Sequence, residues 1–174
     1  MNKKLLVASL LFVFFCRAWG YASEDSDEYL AARNNMRSGK SDFAFMHLIS
    51  ITRSKAKSRY QERALFETGE YYFRRADYYD ASRVLKKLIE SYPDSKIRPF
   101  ALFYLLKIAQ YQNNKALTEA VKNEIINYKQ VVLVFKDTKE FRFRSIFGKR
   151  YRLIYHIDKI ELFEDEKLFA QISY

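Results

Sequence analysis

Glu62–Ser95 reads ERALFETGEYYFRRADYYDASRVLKKLIESYPDS, and the spacing inside this stretch decides the fold. Leu65, Gly69 and Tyr72 follow one another at four- and three-residue steps, which places them on one face of a helix. Ala81, Leu85, Leu88 and Ile89 repeat that spacing on a second helix, and Arg75-Ala76-Asp77 makes the turn between the two. Pro93 disfavours helical geometry at Tyr92, so the second helix stops close by. The stretch predicts an antiparallel pair of helices over 59–74 and 77–91. Gly69 costs about 1 kcal/mol of helix propensity relative to Ala. Close approach of the paired helix near Ala81 is the expected compensation, a structural role. Leu65, Gly69, Tyr72, Ala81, Leu85 and Pro93 are thus the structural positions of the unit.

Working outward, weaker copies flank this unit. Gly39-Lys40-Ser41-Asp42-Phe43-Ala44 corresponds to Ala76-Asp77-Tyr78-Tyr79-Asp80-Ala81, with Leu48 and Ile51 matching Leu85 and Leu88. Downstream, Phe100-Ala101-Leu102-Phe103 echoes Arg63-Ala64-Leu65-Phe66, and Asn113-Asn114-Lys115-Ala116 turns into a last helix ending near Tyr128. About three helical hairpins over residues 26–129 are expected, the outer two degenerate because their outer faces stack on nothing. After Lys129 the period changes to two. Gln130–Lys136 is rich in β-branched residues, Glu140–Arg144 alternates apolar with basic, and Phe147-Gly148-Lys149 signals a turn. Tyr151, Leu153, Tyr155 and Ile157 alternate next, and Ile160–Phe163 with Lys167–Ser173 reads as a hairpin around Glu164-Asp165-Glu166. Val, Ile, Tyr and Phe favour strands, so a meander of four or five antiparallel strands is predicted, with helical continuation as the competing reading. The fold class is α+β.

The amino terminus reads as an export signal. Lys3 and Lys4 precede an apolar run over Leu5–Phe15, and small residues follow at Ala18, Gly20 and Ala22. An apolar run of this length falls short of the roughly 20 residues a permanent span needs. An uncleaved anchor is the alternative. The expected organisation is a signal peptide over 1–22, helical repeats over 23–129 and a β meander over 130–174. The acidic stretch Ser23–Glu28 reads as a solvated mature terminus. Cys16 is the single cysteine, and bulky Phe15 directly before it argues against lipidation; cleavage after Gly20 or Ala22 leaves no cysteine for a disulfide. Loss of Lys3, Lys4 and Arg17 takes the formal charge from +10 to +7, an excess spread along the chain. That suits attraction to anionic surfaces. No nucleic-acid motif is present.

The unit between Glu62 and Ser95 resembles the tetratricopeptide repeats of bacterial cell-envelope proteins. It is similar to those of outer-membrane assembly lipoproteins and of Tol-associated periplasmic coordinators of cell division. The ending Tyr92-Pro93-Asp94-Ser95, followed by Pro99, Ala101 and Leu102, carries the likeness, which covers roughly residues 26–128. Thr68 and Leu88 depart from the usual Leu and Ala, and the C-terminal meander lies outside the pattern. The resemblance implies a concave groove lined by the first helix of each repeat, and on this chain the groove positions are Arg63, Phe66, Glu70, Phe73 and Arg74. Aromatic anchors between charges suit a peptide or helix of a protein partner. The competing expectation is that Phe66 and Phe73 pack on adjacent helices.

Catalytic signals are sparse. His47 and His156 lie far apart and neither has metal-ligand spacing, and with four glycines in the chain there is no phosphate-binding loop. His47 reads as a partly buried structural histidine. Glu67 and Glu70 lie three apart on one helix, compatible with acid–base work, though solvated or peptide-facing carboxylates are the commoner outcome. Arg142, Arg144, Lys149, Arg150 and Arg152 form the densest basic group. They read as a solvated strand face or, if they bind, as a patch for anionic lipid or glycan whose affinity falls with salt. The expected function is an exported, non-enzymatic adaptor of the periplasm or outer membrane that holds a protein partner. No metal, cofactor, small-molecule substrate or nucleic acid is expected. The alternative is a structural envelope protein whose basic β module contacts lipid or cell-wall polymer.

Overall fold

A computed structural model describes residues 24–55, 57–132 and 138–173. The expected signal over 1–22, Cys16 and residues 133–136 of the expected first strand lie outside them. Among the described residues, six helices are followed by a four-stranded antiparallel sheet. The helices are α1 (residues 24–37), α2 (Ser41–Arg53), α3 (Arg59–Arg74), α4 (Tyr78–Ser91), α5 (Arg98–Tyr111) and α6 (Lys115–Val132). The strands are β1 (Lys139–Arg144), β2 (Arg150–Tyr155), β3 (Lys159–Glu164) and β4 (Lys167–Ser173), paired in chain order. The α+β class and the meander are as expected. Counting each helix with its successor, helical pairs outnumber the three hairpins expected.

The chain forms two compact units, residues 1–64 and 65–174, whose division falls inside α3. In the first unit, Ala32 of α1 and Ala44, Leu48 and Ile51 of α2 are buried. From Glu24 onward the acidic stretch is not a solvated tail. It begins α1, and Asp25 is buried with its Oδ2 accepting a hydrogen bond from Ser58 Oγ at 2.7 Å. His47 is partly buried, its Nδ1 2.8 Å from Glu28 Oε2.

In the second unit the predicted hairpin is present, formed by the remainder of α3 and by α4. Asp77 caps α4, its Oδ1 accepting from the Asp80 N–H at 3.2 Å, and its own N–H returns to the Tyr72 carbonyl at 3.0 Å. Ala76 takes the left-handed conformation at φ 59°, closing the turn. The close approach at Gly69 is to Leu85 rather than to Ala81: a Cβ there would lie 2.6 Å from Leu85 Cγ and Cδ2. Leu65, Ala81 and Leu85 are buried, Tyr72 is half-buried, and α4 ends at Ser91 before Pro93. Helix α5 is apolar almost all round, with Phe100 to Leu106 buried, because other elements cover it on every side.

Residues Gln130–Val132, expected to open the first strand, are helical instead and prolong α6. The preference of valine for strands is weak beside the continuation of a helix already formed over the preceding residues. Strand β2 closes at Tyr155, leaving Ile157 exposed in the connection to β3. The sheet turns Tyr151, Leu153, Tyr155, Ile160, Leu162 and Ile172 inward, all buried in one core with residues of α3, α4, α5 and α6. The expected boundary at 129/130 marks a change in residue pattern, but the core runs across it.

Candidate functional site

The predicted groove positions of the second unit meet the chain's own sheet. Phe66 is fully buried and its ring stands nearly perpendicular to those of Phe143, Tyr104 and Tyr151, at centroid distances of 5.1, 5.6 and 5.6 Å. Phe73 is half-buried against Tyr104 at 4.8 Å and Phe169 at 6.1 Å. Glu70 is also fully buried. The face expected to lie open for a partner is therefore filled, and it is the sheet, as well as a neighbouring helix, that fills it. A helical period shows which side of α3 is apolar. It does not show which element covers that side. Arg63 belongs to the first unit, where its Nε donates to Tyr29 Oη at 3.0 Å and its guanidinium lies 5.6 Å from that ring centroid.

Around the filled face lies a charged cluster. Arg74 Nε donates to Glu70 Oε1 at 3.1 Å, and its Nη2 donates to Glu164 Oε1 at 2.8 Å. Tyr104 and Tyr151 share a hydrogen bond of 2.7 Å between their hydroxyls, and Lys149 Nζ lies 3.2 Å from Glu164 Oε1. Glu67, buried as well, accepts the Ile146 backbone N–H at 3.0 Å, which ties α3 to the β1–β2 turn. Burial pushes the Glu70 pKa up, against the opposing pull of Arg74 and of hydrogen bonds from Ser145 and Tyr151. Burial also raises Tyr104 and Tyr151, and the nearby Glu70 carboxylate adds to both. For Arg74 burial disfavours the charge, but the Glu164 hydrogen bond and the Glu70 charge outweigh it and raise the pKa. The cluster locks sheet to helices. Its carboxylates are enclosed rather than solvated, contrary to the expectation for Glu67 and Glu70.

Phe66, Glu70 and Phe73 share one helical line, at i, i+4 and i+7, so the burial of Glu70 could have been read from its position between two aromatics. Tyr104 and Glu164 had no such signal, because their partners come from distant parts of the chain.

The basic group divides. Arg142 and Arg144 alternate with inward Phe143, and the register sets Arg142 opposite Arg152 and Arg144 opposite Arg150. All four arginines line one cavity of about 480 Å³ on the outer face of the sheet, together with Glu166. Lys149 does not line it. Its Nζ is 2.8 Å from Asp165 Oδ2, a bond that raises the lysine pKa and lowers that of the aspartate. The turn makes this register: Gly148, at φ 80°, donates its N–H to the Ser145 carbonyl, and Ser145 N–H bonds the Lys149 carbonyl. Among the described residues no group of three or more His, Cys, Asp or Glu could hold a metal ion. Among them, too, no helix is long and apolar enough to cross a membrane.

Comparison with protein-family models, with curated proteins and with solved structures gives no match for this chain.

Proposed function

We propose that the chain is an exported, non-enzymatic adaptor of the cell envelope, in which tetratricopeptide-type helices hold a protein partner by surface contact. The observation that carries this reading is the α3–α4 hairpin, closed by Gly69 against Leu85 with Ala81 buried beside it. A small residue that lets two helices approach is what this repeat type uses to stack. Glu70, Arg74, Glu164 and Lys149 are engaged with one another and Glu67 holds the Ile146 N–H, which favours a structural role over chemistry on an outside substrate. With the α3 face filled, partner contact falls to exposed apolar and aromatic side chains. Phe43 and Met46 on α2 are 60% and 66% exposed, and Tyr79 on α4 is 78% exposed. The apolar run Leu5–Phe15 after Lys3 and Lys4 supports export.

A photo-crosslinking residue at position 43, 46 or 79 of the full chain, activated in living cells, tests the adaptor reading. Discrete protein adducts from at least one position are expected, and their absence at all three would overturn it. Export has its own test: a carboxy-terminal reporter active only outside the cytoplasm should be active, and silence would remove the envelope assignment.

A second reading, a structural envelope protein with an anion-binding β face, is favoured by the four arginines of the β1–β2 hairpin.

A further inference from the structure

Like charges placed directly opposite one another destabilise an antiparallel pair. The β1–β2 hairpin nevertheless sets arginine against arginine twice in succession, Arg142 on Arg152 and Arg144 on Arg150. Their side chains share the outer face, away from the core. Glu140 pairs with Arg142, and Glu166 Oε2 lies 3.2 Å from Arg152 Nη2. Arg142, Arg144 and Arg150 are exposed, so their guanidinium groups can be reached from solvent. Arg152 is more confined. Its guanidinium carbon lies 4.6 Å from the Phe163 ring centroid, and its Nε is buried with no hydrogen-bond partner among the described residues. Stacking on Phe163 and the Glu166 contact hold the Arg152 guanidinium in place beside the three exposed arginines, so little ordering is left for a ligand to impose.

We propose that this block of four arginines is a binding site for a phosphate-bearing anion. Three features select that chemistry. The guanidinium fork matches the oxygens of phosphate in two parallel hydrogen bonds, which a lysine patch does not offer. A phosphomonoester brings about −1.5 to −2 charges in one compact group, against one for a carboxylate, and so answers more of the block. The cavity of about 480 Å³ suits a small ligand or headgroup rather than a length of polymer. A soluble phosphomonoester and a lipid headgroup ending in a phosphomonoester present the same chemistry, and either can be the source. The site uses none of the residues assigned to partner contact, so it stands or falls apart from the adaptor reading.

Two probes separate the sources on the full chain. Inorganic pyrophosphate is titrated calorimetrically, and vesicles of phosphatidic acid in phosphatidylcholine are tested by co-sedimentation against vesicles of phosphatidylcholine alone. Binding to pyrophosphate assigns a soluble ligand, and binding to anionic vesicles alone assigns a headgroup. Both support the proposal, and affinity should fall as salt rises. Arg144→Gln and Arg150→Gln should each weaken binding about ten-fold, the scale of one charge-assisted hydrogen bond. Arg144→Lys should recover only part of the loss, because the charge returns without the fork. Arg83→Gln, on α4, removes the same charge from a different element and should leave binding unchanged. Binding to neither probe overturns the proposal. So does equal loss with Arg83→Gln, or equal affinity for poly-glutamate, which would make the face a general cationic surface.

Discussion

Glu70 is a carboxylate enclosed beside two tyrosines and one arginine, and its protonation is coupled to folding. Burial raises its pKa in the folded chain above the value it has when unfolded. A group shifted in that direction contributes stability that is fully present below the unfolded pKa and is lost as pH rises through the folded pKa. Arg74, Ser145 and Tyr151 limit the shift but do not reverse it. Glu70→Gln keeps the shape and removes the titration, while Arg74 retains Glu164 at 2.8 Å. The expected outcome is a stability difference, variant minus wild type, that is greatest near neutral pH and shrinks as pH falls into the carboxylate range. Each tenfold change in proton affinity is worth about 1.4 kcal/mol. Paired thermal melts across that range would check it. A difference that grows toward acid would show that the Glu70–Arg74 bond dominates instead. At the edge of the same cluster Asp165 runs in the opposite sense, held low by Lys149, so subtracting the two curves is essential to isolate Glu70.

Between elements, the α3–α4 hairpin depends on one missing side chain. Leu85 is fully buried, and its Cγ and Cδ2 occupy the position a Cβ at Gly69 would reach for, 2.6 Å away. Gly69→Leu should therefore cost about 1–3 kcal/mol through overpacking, which outweighs the roughly 1 kcal/mol that leaving glycine returns in helix propensity. Differential scanning calorimetry should show a lower Tm, and adding Leu85→Ala should restore part of it. Full additivity of the two changes would mean that the side chains do not meet. The hairpin was legible in advance because its signals are local: Gly69, the Arg75-Ala76-Asp77 turn and Pro93 all lie within the segment they shape. The same holds for the β1–β2 turn at Gly148. The segment Gln130–Val132 was not legible, since a run of β-branched residues reads as a strand unless the helix preceding it is known to continue. The fate of the α3 face was hidden for a different reason. Phe66, Phe73 and Arg74 announce contact, but their partners Phe143, Tyr151, Glu164 and Phe169 come from strands far along the chain, and no local spacing links them. The arginine block stands between these cases: its members were visible in the sequence, but only the strand register set Arg142 on Arg152, brought Arg150 beside them and turned Lys149 toward Asp165.

Across the second unit, helices and sheet are two halves of one core. Phe66 meets rings from β1 and β2, Tyr104 of α5 meets Tyr151 of β2 and Phe169 of β4, and Phe100 meets Phe143 and Tyr151. Such pairs are worth about 0.5–1.5 kcal/mol each beyond the area they bury. Together they amount to about 3–9 kcal/mol, comparable with the margin of about 5–15 kcal/mol by which a domain is normally stable. The buried charges raise the stakes further. Without β3, Arg74 loses Glu164, and Glu70 and Glu67 face solvent beside uncovered aromatic rings. Removing residues 138–174 is thus expected to abolish cooperative unfolding of the helices from Leu65 onward, with loss of near-ultraviolet dichroism and binding of a hydrophobic dye. Far-ultraviolet dichroism should fall less, since single helices can persist without fixed packing. A helical array built to present an open groove would behave in the opposite way: truncation would leave a sharp melt and a newly accessible peptide site. Measuring the melt and the dye together therefore decides whether the sheet is a permanent layer of the core or a cover over a groove. The enclosed Phe66 and the rings of Phe100, Tyr104, Phe143 and Tyr151 around it place the expectation on the first.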